Sequence, residues 1–176
     1  MMKVFKGAAA VVLAVLLSGC AGYRWTSDVP QALRTVSVPV FENKTYHAEL
    51  GPITTQFILR EFQREGTFAI RRTGDAALEV QGQIVSTERK MAGVNRNYGS
   101  RANEYRYTVT AEVTLINKKT GKILFSNRRY EAETTFLTYD DLLTAQRNTS
   151  SRLAHEFARQ IVDDVLAFPY DASDAR

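Results

Sequence analysis

Apolar positions along this chain recur with a period of two in some stretches and near 3.6 in others, and the changes of period outline its elements. Thr35 to Phe41 alternates Val36, Val38 and Val40 against Thr35, Ser37 and Pro39, the mark of a half-buried strand. Pro39 has no N–H to donate, so this strand belongs at a sheet edge or stops pairing there. Glu42 to Gly51 is rich in turn formers, and Pro52 suits the start of a helix, where a missing N–H costs nothing. Ile53, Phe57, Ile58 and Phe62 form one stripe of that helix as far as Glu65, and Gly66 ends it. Phe68 to Ile70 brings the chain back toward the sheet. Ala77 to Thr87 is a second strand, with Leu78, Val80, Gly82 and Ile84 on one face. Lys90 to Asn103 is rich in Gly, Asn and Arg without a period and reads as a long loop. Glu104 to Ile116 then alternates throughout, with Tyr105, Tyr107, Val109, Ala111, Val113 and Leu115 on one side. Asn117 to Gly121 closes a hairpin into Lys122 to Thr134, where Ile123, Leu124, Phe125 and Tyr130 are the apolar positions. From Asp140 to Phe168 the pattern is helical: Leu153, Phe157, Ile161 and Val165 fall at steps of four beside Ala154, Ala158, Val162 and Leu166. Pro169 stops it.

The order β-α-β-β-β-α predicts an α+β two-layer sandwich: a four-stranded mixed sheet with two helices packed on one face, its first crossover right-handed and its later strands a meander. The opposite sheet face would be amphipathic and open to a partner. Neither an internal repeat nor a low-complexity tract is visible in the sequence.

The N-terminus has a separate logic. Lys3 and Lys6 precede an apolar run, Gly7 to Leu17, too short to span a bilayer comfortably, which is the shape of a signal peptide. It runs into Leu17-Ser18-Gly19-Cys20, a lipobox: a branched apolar residue, two small residues, then the cysteine whose thiol accepts a lipid. A single acyl chain anchors only marginally, at about 0.8 kcal/mol per buried CH₂, whereas three hold firmly. Ala21 in place of Asp resembles lipoproteins sent on to the outer membrane. The expected organisation is a cleaved signal at 1–19, a lipidated linker at 20–32, one α+β domain at 33–169 and a polar tail at 170–176. Tyr23 and Trp25 in the linker suit either the membrane interface or an edge of the core.

Charge and cysteine usage narrow the function. The formal charge of +4 falls to +2 once Lys3 and Lys6 leave with the signal, which gives little support to a nucleic-acid partner. Cys20 is the one cysteine, so once lipidated it leaves no disulfide and no cysteine metal site. His47 lies in a turn-rich segment and His155 in a helix beside Glu156; neither has the neighbours of a catalytic base, and no His, Asp or Glu pair has metal-ligand spacing. No cofactor motif appears, and an enzyme is not expected. Asp140-Asp141 reads as helix N-terminal charge and Asp163-Asp164 as a solvated face. What stands out is basic. Arg89, Lys90, Arg96 and Arg101 flank or occupy the long loop, and Lys118, Lys119 and Lys122 crowd a hairpin at the same or the opposite end of the sheet. With Met91, Val94 and Tyr98 nearby, such a loop suits an anionic amphiphile, although charge alone is equally that of a solvated loop.

Several segments together resemble the LptE-type lipopolysaccharide-assembly lipoproteins of the outer membrane: the lipobox running into Cys20-Ala21-Gly22-Tyr23, the Pro30 spacer, Val36-Ser37-Val38-Pro39-Val40-Phe41-Glu42-Asn43-Lys44-Thr45-Tyr46, and Glu104-Tyr105 opening a strand after a basic loop. The resemblance implies a non-catalytic protein on the periplasmic side of the outer membrane. It implies that the protein sits in the lumen of an LptD-type β-barrel translocon and contacts lipopolysaccharide through basic residues before the long strand. Arg96, followed by Asn97, matches that place best, with Arg101 as substitute, Arg89 and Lys90 flanking, and Arg147 near the start of the last helix as a second position. The alternative class is a periplasm-facing envelope lipoprotein that binds or acts on cell-wall material.

Overall fold

The computed structural model describes residues 29–95, 102–138, 142–171 and 173–174. A short 3-10 turn, Gln31–Leu33, leads into β1 (Thr35–Ser37), β2 (Glu42–Asn43), α1 (Leu50–Glu65), β3 (Ala69–Ile70), β4 (Leu78–Asn95), β5 (Ala102–Asn117), β6 (Ile123–Thr138) and α2 (Leu142–Leu166). The sheet order is β3-β1-β4-β5-β6, and β2 also pairs with β4 farther along the same edge. β1, β2 and β3 run parallel to their neighbours, and β4, β5 and β6 form an antiparallel meander.

The α+β architecture and its two helices agree with the hydrophobic pattern; the strand count does not. The sheet has six strands rather than four, and the order of elements is β-β-α-β-β-β-β-α. One reason lies at Pro39, which cannot donate to a ladder: the expected strand over 35–41 stops at Ser37, and β2 forms at Glu42–Asn43, within the segment expected as a turn-rich connection. Between them Phe41 turns into the core. Its N–H donates to Thr55 Oγ1 at 2.9 Å, and that hydroxyl donates to Gly51 O at 2.9 Å. The Phe41 ring lies so close over Gly82 that a Cβ there would overlap it. The other extra strand is β3, where Ala69 and Ile70 pair with Thr35 and Val36.

A second difference concerns the expected loop over 90–103. β4 continues to Asn95 and β5 begins at Ala102, with ladder pairs Arg89 to Tyr107, Lys90 to Arg106 and Met91 to Tyr105. The apolar residues of this extension of β4, Met91, Ala92 and Val94, do not alternate with polar ones, so no period of two is visible. Backbone pairing carries the strands that far, joined by the cross-strand contact of Arg89 with Tyr105.

One face of the sheet is apolar. Leu78, Val80, Ile84, Tyr107, Val109, Ala111, Val113, Leu115, Phe125, Tyr130 and Ala132 are buried against Ile58 and Phe62 of α1 and against Leu153, Phe157, Ile161 and Val165 of α2. Both helices pack on this face and on each other, with the Phe57 and His155 rings edge to face at 6.1 Å. Gly66, at φ 82°, ends α1 by donating its N–H to Phe62 O, a conformation cheap for glycine. The other sheet face is polar along its middle, carrying Gln81, Gln83, Glu112, Thr114, Glu131 and Glu133.

Two polar segments do more than the sequence suggests. Asp164, expected on a solvated face, accepts the Tyr130 hydroxyl at 2.7 Å and Arg128 Nη1 at 3.0 Å, tying α2 to β6. Burial and the Asp164 carboxylate hold the Tyr130 phenol well above its ordinary range. The last residues fold back: Asp174 is buried, its carbonyl accepts Asn117 Nδ2 at 2.7 Å, and its carboxylate meets Lys122 Nζ at 2.7 Å.

Candidate functional site

The two basic clusters lie at opposite ends of the sheet. Leu78, at the start of β4, pairs with Asn117, so Lys118, Lys119 and Lys122 belong to the end where β5 turns into β6. Two of them are engaged there: Lys118 pairs with buried Glu79 at 3.4 Å and Lys122 with Asp174. That hydrogen bond raises the Lys122 pKa, and it lowers that of Asp174 with help from the Asp171 backbone.

Arg89 and Lys90 belong to the other end, near the β4–β5 connection. A register shift between Ile84 and Ser86 inserts one residue into β4 and exchanges its faces. Thr87, Arg89 and Met91 therefore share the helix-side face with their partners Val109, Tyr107 and Tyr105, and Lys90 and Arg106 point to the outer face. On the helix side the Arg89 guanidinium lies 5.8 Å from the centre of the Tyr105 ring. Tyr105 in turn stacks on Phe136 at 5.9 Å with 24° between planes. Met91 is 61% exposed beside them. A cation held on an aromatic pair next to open apolar surface is what an anion with a hydrocarbon body requires.

On the outer side Lys90 pairs with Glu88 at 2.9 Å and Arg106 with Glu133 at 3.2 Å, all four side chains being largely exposed. Such pairs contribute little and release easily. Arg89 and Lys90, adjacent in sequence, thus serve different faces and do not converge on one ligand.

Of the remaining expected site residues, Cys20, Arg96 and Arg101 lie outside the described residues. Arg147 is in the first third of α2. Five residues later, Arg152 Nη1 donates to Thr134 Oγ1 at 3.4 Å, and Thr134 is the ladder partner of Tyr107. The backbone at Arg147 therefore lies farther toward the Arg89 end. His47 meets Tyr107 edge-on at 6.0 Å, and His155 meets Phe57. Among the described residues no three His, Cys, Asp or Glu side chains gather as a metal site would require, and no helix is long and apolar enough to cross a membrane.

Sequence reasoning missed Phe136, which lay beyond the expected end of its strand at Thr134, and it did not foresee that a bulge would place Arg89 with Tyr105. The sequence signal for Phe136 was faint: one aromatic residue at even spacing from Tyr130 and Thr134.

Fold and site together define a class: a small two-layer α+β domain with a polar outer sheet face and one cationic, aromatic end. The chain belongs to the LptE family of lipopolysaccharide-assembly proteins, whose model matches residues 33–167. No curated protein matches the sequence. Among solved structures, a protein from Xanthomonas campestris has the same fold, with a TM-score of 0.58 and 12% identity over 80% of this chain and 88% of that one. Also similar are lipoprotein B from Nitrosomonas europaea (TM-score 0.48, 15% identity, 84% and 92% covered) and a minor lipoprotein from Acinetobacter baumannii (TM-score 0.47, 12% identity, 77% and 94% covered).

Proposed function

We propose that this chain is a non-catalytic lipoprotein, anchored through Cys20 to the periplasmic side of the outer membrane, which plugs and stabilises an LptD-type β-barrel and assists lipopolysaccharide assembly there. The observation that carries the reading is Arg89 seated on the Tyr105–Phe136 stack beside exposed Met91, in a chain of the lipopolysaccharide-assembly family. Lipid A joins phosphates to acyl chains. A guanidinium offers forked donors to the phosphate, and neighbouring apolar surface takes part of a chain. Arg96 and Arg101 add charge from the residues that join β4 to β5, and Arg147 adds it from α2; Lys90 supplies a cation on the outer face. A polar outer face supports the plug reading, because the lumen of a large barrel is lined by polar residues and water.

The test is affinity isolation of the full lipoprotein from detergent-solubilised outer membrane. A large β-barrel should be retained in stoichiometric amount, and depletion of the lipoprotein should lower the level of correctly assembled barrel. Isolation of the lipoprotein without a barrel, with binding of peptidoglycan fragments instead, would overturn the reading.

A further inference from the structure

β6 ends the sheet, and among the described residues only β5 pairs with it. From Arg128 to Thr138 its ladder with β5 runs without a register shift; the irregularities lie before this stretch, around Asn127 at φ 49°. Backbone groups of successive residues in an antiparallel strand point to opposite sides. Gln160 Nε2 of α2 donates to Glu131 O at 3.3 Å, so that carbonyl points away from β5. Glu131 therefore belongs to the outward-facing set, with Arg129, Glu133, Thr135 and Leu137. Their N–H and C=O groups form a row about 27 Å long at the strand rise of about 3.4 Å. Edges of this length are ordinarily blunted by proline, bulges or charge. The stretch from Arg129 to Thr138 holds neither proline nor glycine. Its charges are compensated within the chain, Arg129 Nε meeting Glu131 Oε1 at 3.4 Å and Arg106 Nε meeting Glu133 Oε1 at 3.2 Å. The Gln160 contact is a single exposed hydrogen bond, and that side chain also has Glu156 Oε1 at 3.0 Å.

Only another extended backbone matches such a row of alternating donors and acceptors, and α2 decides whose it is. The helix packs mainly on β6. A second copy pairing edge to edge would bring its own α2 to about one strand spacing, about 4.8 Å, from the first, where packed helix axes need about 8–10 Å. A strand with no helix on that side meets no such clash. We infer that β6 takes up one extended segment of the barrel protein as an added strand, joined through the backbone groups of Arg129, Glu131, Glu133 and Thr135. Because Glu131, Glu133 and Thr135 are exposed on the outer face, the segment carries polar residues on that side. The inference rests on the proposed barrel complex.

Thr135→Pro removes an outward N–H and leaves the ladder with β5 whole, whereas Thr135→Ala removes only the side chain. In affinity isolation of the full lipoprotein from detergent-solubilised outer membrane, Thr135→Pro should retain the barrel about tenfold less well than wild type or worse, and Thr135→Ala within about twofold, both with the wild-type melting curve. Amide hydrogen exchange of the wild-type lipoprotein, alone and in the isolated complex, reads the same contact without a substitution. About half of the amides over 129–138 should slow in the complex, because those facing β5 are already protected; this measurement decides if Thr135→Pro does not fold. Wild-type retention of the barrel by a folded Thr135→Pro, or unchanged exchange over 129–138, overturns the added strand and leaves the complex standing. Slow exchange there in the lipoprotein alone, with sedimentation as a dimer, overturns it in favour of a second copy. Absence of a barrel from the wild-type preparation overturns the functional reading and the added strand with it.

Discussion

Arg89 and Lys90 are neighbours in sequence, yet the bulge after Ile84 gives them different surroundings. Arg89 has an aromatic stack and exposed Met91; Lys90 has Glu88 and open solvent. If lipid A phosphates bind on the helix side, Arg89→Glu in the full chain should weaken binding to lipopolysaccharide micelles by about tenfold or more, the scale of one lost charge-assisted hydrogen bond. Lys90→Glu should change it by less than about threefold. Equal losses from the two variants would show that net charge, not the site, governs binding. Gly82 is the other instructive residue. A methyl group there would meet the Phe41 ring, and the Phe41 backbone is held in place by Thr55 and lies close against Gly51. Gly82→Ala should therefore lower unfolding stability by about 1–3 kcal/mol in urea titration, the usual cost of overpacking a core. An unchanged midpoint would mean that Phe41 is free to move away.

At the scale of elements, polar contacts add to the apolar packing. Tyr130 and Arg128 hold α2 to β6 through Asp164, and Asp174 closes the C-terminal residues over the β5–β6 turn. The hydrogen bond from Lys122 holds the Asp174 carboxyl below its ordinary range. Because this pKa is lowered on folding, the contribution to stability is fully present above the unfolded value of about 3.9. It is lost as pH falls through the folded value. Asp174→Asn should accordingly reduce stability at neutral pH and flatten its decline below about pH 4, measured as urea midpoints across an acid series. An acid limb identical to wild type would mean that this pair does not contribute. The expected polar tail at 170–176 thus includes a buried carboxylate, a role that the string Tyr170 to Arg176 does not announce.

For the whole molecule, the proposed lipid on Cys20 would tie one end of the chain to a membrane beside the surfaces of the folded domain. If Cys20 carries the lipid, Cys20→Ala should leave the protein without it and move the mature domain from the membrane fraction to the soluble periplasmic fraction, since residues 21–176 contain no apolar stretch of spanning length. Retention in the membrane by the variant, measured in cells lacking the wild-type copy, would mean that a protein partner alone holds the domain there.

What the sequence determined by itself was everything that rests on local periodicity and short motifs. The proposed signal and lipobox are read from consecutive residues. Both helices and the inner faces of β4 and β5 repeat apolar residues at fixed spacing because each must bury one side. The family resemblance in Val36 to Tyr46 also has a physical basis: Phe41 fills the space over Gly82, and Asn43 builds the turn that follows. Tertiary structure alone decided the remainder. Beyond Thr87, β4 is exposed along much of its length and carries no apolar alternation, so its pairing with β5 is not written in its own sequence. β2 and β3 are two residues each, too short for any period. The end of the sheet at which each basic cluster stands, and the face on which Arg89 meets Tyr105 and Phe136, depend on ladder register. One inserted residue reverses every side chain after it, so a strand's faces are fixed only when its partner is in place.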